Sequence, residues 1–156
     1  MEYVRGAGPF DGLMGFSEGA IVATALLLED VRRPFAHFQC GILFSAAAPW
    51  DPDAGDDPAS LRCVDPAVDG VLLRVPVAIV VEEGLERLRD RSPLAGLWAR
   101  TGVVDAQRAL VQIWDASVRE VVDSRLGHRV PGSGGSSEGL GPCLLAIERT
   151  IARVVD

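Results

Sequence analysis

A chain of 156 residues, 48% hydrophobic and 24% charged, is long enough for one domain with a sizeable core and has the composition of an ordinary globular protein. Its net charge of −7 excludes the basic surface needed to neutralise phosphates, so nucleic acid is not an expected partner. The longest apolar run, residues 20 to 28, is too short to cross a bilayer, so no membrane is expected either. The first residues lack the charged and apolar regions of a signal peptide, and Cys40, Cys63 and Cys143 are odd in number and widely scattered. They suggest neither a disulfide framework nor a zinc site, and the expectation is a reducing, cytoplasmic setting with no cofactor or metal.

In chain order, the turn residues Gly8-Pro9 precede a short apolar run at residues 10 to 14, which predicts a buried strand. Gly15-Phe16-Ser17-Glu18-Gly19 then fits the G-x-S-x-G pattern of a nucleophile elbow. A serine hydroxyl attacks a carbonyl only if it projects from the backbone, which requires a sharp turn from strand into helix. Gly15 and Gly19 are expected to remove side chains that would collide inside that turn. Beyond it, Ile21, Ala25 and Leu28 recur at helical spacing. In a chain with 17 Gly, the same five residues could be a glycine-rich turn before a buried helix. The strand–turn–helix context favours the elbow.

Arg32-Arg33-Pro34 stops this helix, and residues 38 to 45 read as a second buried strand. His37, among phenylalanines, reads as a packed or capping group. Residues 49 to 71 interleave prolines with aspartates. Asp51, Asp53, Asp56 and Asp57 suggest a calcium loop, but Arg62 occupies the twelfth position, where that loop needs a glutamate, so a solvated acidic loop is expected. Residues 75 to 81 form a third strand, with Pro76 near its start. Residues 82 to 101 are amphipathic in two pieces, an insertion or a lid, with Ser92-Pro93 as cap and first helical position. After Gly102 to Asp105, a helix presents Leu110, Ile113 and Trp114. Residues 118 to 123 are a fourth strand. A Gly-Ser stretch follows, and Ser136 or Ser137 caps a last helix whose apolar face is Leu144, Ile147 and Ile151. Strands alternating with helices predict an α/β fold with a mostly parallel sheet flanked by helices in three layers, as a single domain over residues 1 to 156.

A serine hydroxyl is a poor nucleophile at neutral pH until an imidazole takes its proton. In an α/β-hydrolase the working groups follow the order serine, acid, histidine, and Ser17, Asp105 and His128 occur in that order. His128 would be the general base, Asp105 would hold the imidazole in the right tautomer, and the backbone N–H of Glu18 would stabilise the oxyanion. Asp105 reads equally as a helix N-cap, and Asp90 and Glu83 are rivals for the acid.

Gly8-Pro9-Phe10-Asp11-Gly12 leading into Gly-Phe-Ser-Glu-Gly-Ala, with the later Gly127-His128-Arg129-Val130-Pro131, resembles the fungal serine hydrolase (FSH) family of α/β-hydrolases. The resemblance runs over nearly the whole chain. It implies an esterase or thioesterase acting on small acyl substrates. Some relatives release polyketide products in secondary metabolism, acting on a carrier-protein-bound thioester. Ser17 matches the family nucleophile and His128 the family histidine. In the family a strand leads at once into G-x-x-D, whereas here Gly102-x-x-Asp105 stands well beyond the third strand. The family's domain also begins upstream, so the resemblance implies an N-terminally truncated chain lacking the first strands. Its residues 10 to 14 would then lie at an open sheet edge that invites self-association. A truncated, catalytically impaired homologue acting as a binding module is the alternative to a working hydrolase.

Overall fold

The computed structural model describes residues 2–55, 60–82, 92, 95–101, 105–132 and 137–155. Its chain order is α1 (Glu2–Ala7), β1 (Gly12–Phe16), α2 (Glu18–Arg32), β2 (Cys40–Phe44), α3 (Pro66–Asp69), β3 (Val77–Glu82), α4 (Ala95–Thr101), α5 (Ala106–Gln112), β4 (Arg119–Ser124) and α6 (Leu140–Val155). The strands form one four-stranded sheet in the order β1-β2-β3-β4, parallel throughout. Parallel neighbours need crossovers, which the intervening helices supply on one face, and α6 after the last strand covers the other.

One face packs against α2 and α5. Leu27 and Leu28 of α2 and Leu110 of α5 meet Leu43, Val77 and Ile79 of the sheet, with Ile113 and Trp114 just beyond α5. The Trp114 indole N–H donates to the Val75 carbonyl at 3.0 Å, so the largest buried ring keeps its polar atom satisfied. The other face, with Phe44 and Val80, packs against Cys143 and Ile147 of α6. The expected parallel α/β sheet is therefore present, in three layers.

Several local expectations shift. The first strand begins at Gly12, because Phe10 instead stacks on Tyr3 of α1 with ring centroids 6.4 Å apart. Helix α2 ends at Arg32 as Pro34 requires, and the buried Asp30 accepts the N–H groups of Phe35, Ala36 and Phe38 at 2.7 to 2.8 Å, folding the turn into β2. Burial pushes the Asp30 carboxyl up, but these backbone donors outweigh it and hold it below its ordinary value.

The acidic stretch is not simply solvated. Asp51 is 4% exposed and pairs with Arg32 at 2.6 Å and with Arg62 at 2.5 Å, while Arg62 also meets Asp69 at 2.7 Å. The residue that breaks the calcium pattern is thus, with Arg32, a counter-ion of the loop. Helix α3 lies inside the same stretch, capped by the Asp65 carboxylate accepting the Ala67 N–H at 2.9 Å.

Helix α6 is turned by one residue from the expected face. Cys143, Ala146 and Thr150 are buried, while Leu144 and Ile151 are nearly half exposed. Small side chains let the helix axis approach the sheet, and the Thr150 hydroxyl is satisfied by the Ala146 carbonyl at 2.8 Å. Of the amphipathic stretch at 82 to 101, residues 83–91, 93 and 94 lie outside the described residues. Helix α4 is seen, and its Trp98 is buried and donates to the Ala48 carbonyl at 3.0 Å.

Candidate active site

The site is assembled at the carboxyl ends of the four parallel strands. At the end of β1, Ser17 takes φ 54° and ψ −123°, a backbone conformation that a residue with a Cβ rarely adopts. Its N–H donates to the Phe44 carbonyl at 2.9 Å, carrying the β1–β2 ladder one step past the strand. Its carbonyl already accepts the N–H groups of Ala20 and Ile21 at 3.0 and 3.2 Å. The chain therefore turns from strand to helix within a single residue.

Gly15 makes this turn possible. A Cβ there would stand 2.5 Å from both the Ala20 Cα and the Gly19 carbonyl oxygen. Gly19 behaves differently from the sequence expectation, since a Cβ there would meet nothing within 4 Å. Ser17 occupies the N-cap position of α2, where a serine hydroxyl ordinarily accepts a hydrogen bond from the first turn. Here the side chain makes no capping bond, which leaves the hydroxyl available for other work. Glu18 is the first residue of α2, so its N–H has no carbonyl four residues back to bind. That donor and the positive end of the helix dipole favour negative charge beside Ser17.

His128 comes from the loop after β4. Leu126 donates its N–H to the Ser124 hydroxyl at 3.4 Å. Gly127, at φ 67°, then reverses the chain, and Val130 packs against the α6 face. The imidazole lies against the ring of Phe16, with centroids 4.7 Å apart and planes tilted by 37°. The residue just before Ser17 thus carries the histidine on its side chain. Ser17 and His128, separated by most of the sequence, are gathered at one end of the sheet.

The carboxylate facing His128 is Glu82, the last residue of β3. Nδ1 of His128 lies 3.2 Å from Oε1 and 3.3 Å from Oε2 of Glu82. The Glu82 side chain is 2% exposed and that of His128 32%. The Ser45 hydroxyl donates to Oε2 at 2.8 Å. The Gln107 amide faces the Glu82 main chain; oriented to satisfy both groups, it donates to the Glu82 carbonyl at 3.0 Å and accepts the Glu82 N–H at 3.2 Å.

Asp105 is placed otherwise. Its exposed carboxylate accepts the Arg108 N–H at 2.9 Å and caps α5, which is the second of the two readings its position allowed. The physical reason is that Asp105 opens a helix, whereas His128 reaches the strand ends. Asp90 and Glu83 lie outside the described residues. Glu82 and Ser45 were not singled out from sequence. The available signal was positional: each is the first polar residue after an apolar strand run, Ile42 to Phe44 and Val77 to Val81. Among the described residues, no cluster of three or more histidine, cysteine, aspartate or glutamate side chains could hold a metal ion.

The family model for serine hydrolases (FSH1) matches residues 1–79, half of the 156-residue chain. Among curated proteins, an "Esterase FUS5" of Gibberella moniliformis is 45% identical over 51 residues, 31% of this chain and 22% of that protein. An "Esterase FPY3" of Fusarium mangiferae is 26% identical over 132 residues, 83% of this chain and 52% of that protein. A second "Esterase FUS5", from Gibberella fujikuroi, is 42% identical over 55 residues, 31% of this chain and 22% of that protein. The chain spans about half the length of the longest-matching of these relatives, and less of the others. No solved structure matches it significantly.

Proposed function

This chain belongs to the serine hydrolase (FSH1) family, and from that membership we propose that it cleaves a small ester or thioester through an acyl-enzyme on Ser17. The observation that carries the reading is the strained Ser17, with its hydroxyl not spent on capping, directly after Phe16, whose ring lies against His128, while His128 faces a buried carboxylate. Glu82 takes the place first considered for Asp105. Because Glu82 engages Nδ1, Nε2 is the ring nitrogen left to face the nucleophile.

The reaction follows from these positions. The Ser17 Oγ attacks the carbonyl carbon while His128 Nε2 accepts its proton. The Glu82 carboxylate holds the ring as the Nδ1–H tautomer and offsets the imidazolium charge. The Glu18 N–H and the start of α2 stabilise the oxyanion. The tetrahedral species collapses, and the departing alcohol or thiol takes the proton back from His128. A water, deprotonated by the same imidazole, then attacks the acyl-enzyme, releasing the acid and restoring Ser17. The exposed apolar side chains of Met14 and Phe16, on the sheet face that His128 overlies, offer a surface for an acyl chain.

Within this reading we assign the finer role by likeness: release of a polyketide-type product from a carrier-bound thioester, in the cytoplasm. Its support is the resemblance to the FSH family, some of whose members release polyketide products. The esterase names of the relatives support the hydrolysis alone, and three cysteines outside any disulfide fit a reducing compartment. Glu82 beside His128 favours turnover over a non-catalytic binding module, whose case rested partly on a displaced acid.

A fluorophosphonate probe should label the native protein and not Ser17→Ala, and paired oxo- and thioester substrates should rank the leaving group. Equal labelling of both proteins would end the proposal.

A further inference from the structure

Ser45 stands directly after β2, and its conformation is unusual for its composition. It holds φ 51° in the run Ser45-Ala46-Ala47-Ala48-Pro49, which has no glycine to take the left-handed position. Such a conformation costs about 1 kcal/mol or more for a residue with a Cβ. Its N–H donates to the Val80 carbonyl at 2.9 Å, so the backbone is held by the neighbouring strand. The three alanines that follow are buried, and the bend cannot relax outward.

The bend brings the Ser45 hydroxyl, itself buried, within 2.8 Å of Glu82 Oε2. A carboxylate 2% exposed needs hydrogen-bond partners to replace its lost hydration. Gln107 grips only its main chain, which leaves the carboxylate plane free to turn about its last torsion. Ser45 removes that freedom: with Oε2 engaged, the carboxylate plane is held with Oε1 at 3.2 Å and Oε2 at 3.3 Å from His128 Nδ1.

We infer that Ser45 is a positioning residue for the reaction, acting through Glu82 to fix the orientation and tautomer of His128. This rests on the Ser17–His128–Glu82 reading of the preceding section. Ser45 touches no reacting atom and contributes no proton. Its hydroxyl fixes the plane of the carboxylate that faces the imidazole.

The test compares Ser45→Ala with Ser45→Gly. Both remove the hydroxyl, but glycine relieves the left-handed backbone, so the two should differ in thermal stability, with Ser45→Gly the more stable. If Ser45 positions the acid, both variants lose kcat by about 10-fold, the usual scale for a group that orients another from behind, with KM nearly unchanged. If it matters only to the backbone, Ser45→Gly regains kcat along with stability, and that result overturns the inference, as does native kcat in both variants. Nitrogen-15 spectra of labelled histidine give a readout that does not need turnover. The native protein should show His128 as the Nδ1–H tautomer, and both variants a mixture. A mixed native tautomer, or an unchanged tautomer in both variants, would likewise overturn it. A native protein that no acyl probe labels would instead remove the hydrolase reading, and the tautomer spectra would still decide the role of Ser45.

Discussion

The two halves of the site are built by different physics. At the elbow, residues 15 to 20 position Ser17 through backbone alone: a left-handed serine, a glycine with no room for a Cβ, and main-chain hydrogen bonds. At the acid–base end, Ser45, Glu82 and His128 come from after β2, the end of β3 and the loop after β4, and side-chain hydrogen bonds join them. Damage to the first should therefore show as misfolding. Damage to the second should leave a folded protein with the wrong chemistry.

The sharpest way to break that contrast is to remove charge from the acid–base end. Glu82→Gln should keep the fold and lower kcat by about 10,000-fold, the scale seen when a triad acid is neutralised. Asp105→Asn should leave kcat at the native level and cost less than about 1 kcal/mol, since asparagine caps a helix nearly as well. Steady-state kinetics on the two variants separate the carboxylates, and the reverse ranking would return Asp105 to the site.

The elbow should answer differently. Gly15→Ala sets a methyl group 2.5 Å from main-chain atoms, and overpacking of that kind costs about 3 kcal/mol. For a domain of this size that lowers Tm by about 10 °C, seen by calorimetry alongside lost labelling of Ser17. Gly19→Ala, with nothing within 4 Å of the added Cβ, should be neutral or stabilise by about 0.5 kcal/mol as a better helix former. Equal effects at the two glycines would show that the turn is not limited by the close approach at Gly15.

A further effect, smaller than that of Gly15→Ala, belongs to the ion cluster away from both halves. Burial pushes the Asp51 carboxyl up, but the Arg32 hydrogen bond, the Asp53 N–H and the Arg32 and Arg62 charges outweigh it, so it stays below its ordinary 3.8. A carboxyl depressed by folding stabilises the fold above its unfolded value and loses that contribution as pH falls through the folded one. Asp51→Asn should thus lower stability by about 2 kcal/mol at neutral pH. The difference from the native protein should close as urea melts are taken from pH 5 towards pH 2. A constant gap over that range would mean that charge is not what Asp51 supplies.

These contrasts also explain what could be read from sequence. Ser17 was legible because its geometry is written in neighbours: Gly15 before it and an Ala- and Leu-rich helix after it. His128 was legible with less support, through Gly127 and the turn it makes. The proposed acid was not, because Glu82 meets His128 through proximity across strands, and its one signal in the chain is its place at the end of an apolar run. A search for a carboxylate at a loop or helix start finds Asp105, whose local signal is a helix cap. The face of α6 was misjudged for a related reason. Hydropathy ranks Leu144 and Ile151 above Cys143, Ala146 and Thr150, yet against a sheet the short side chains permit the closer approach. The parallel sheet was legible from the alternation of strands and helices, while the order β1-β2-β3-β4 came only from the structure.

The alternation along β3 has a practical consequence. Val77, Ile79 and Val81 face α2 and α5, while Val80 faces α6, so Glu82 falls on the His128 side only while the strand sits as it does opposite β2 and β4. A displacement of β3 by one residue would exchange its two faces. Such a molecule could keep its helical circular dichroism and its elution volume, yet present a valine where the imidazole expects an anion. Specific activity per milligram is therefore a stricter gauge of correct strand alignment in a preparation of this protein than its bulk spectroscopy.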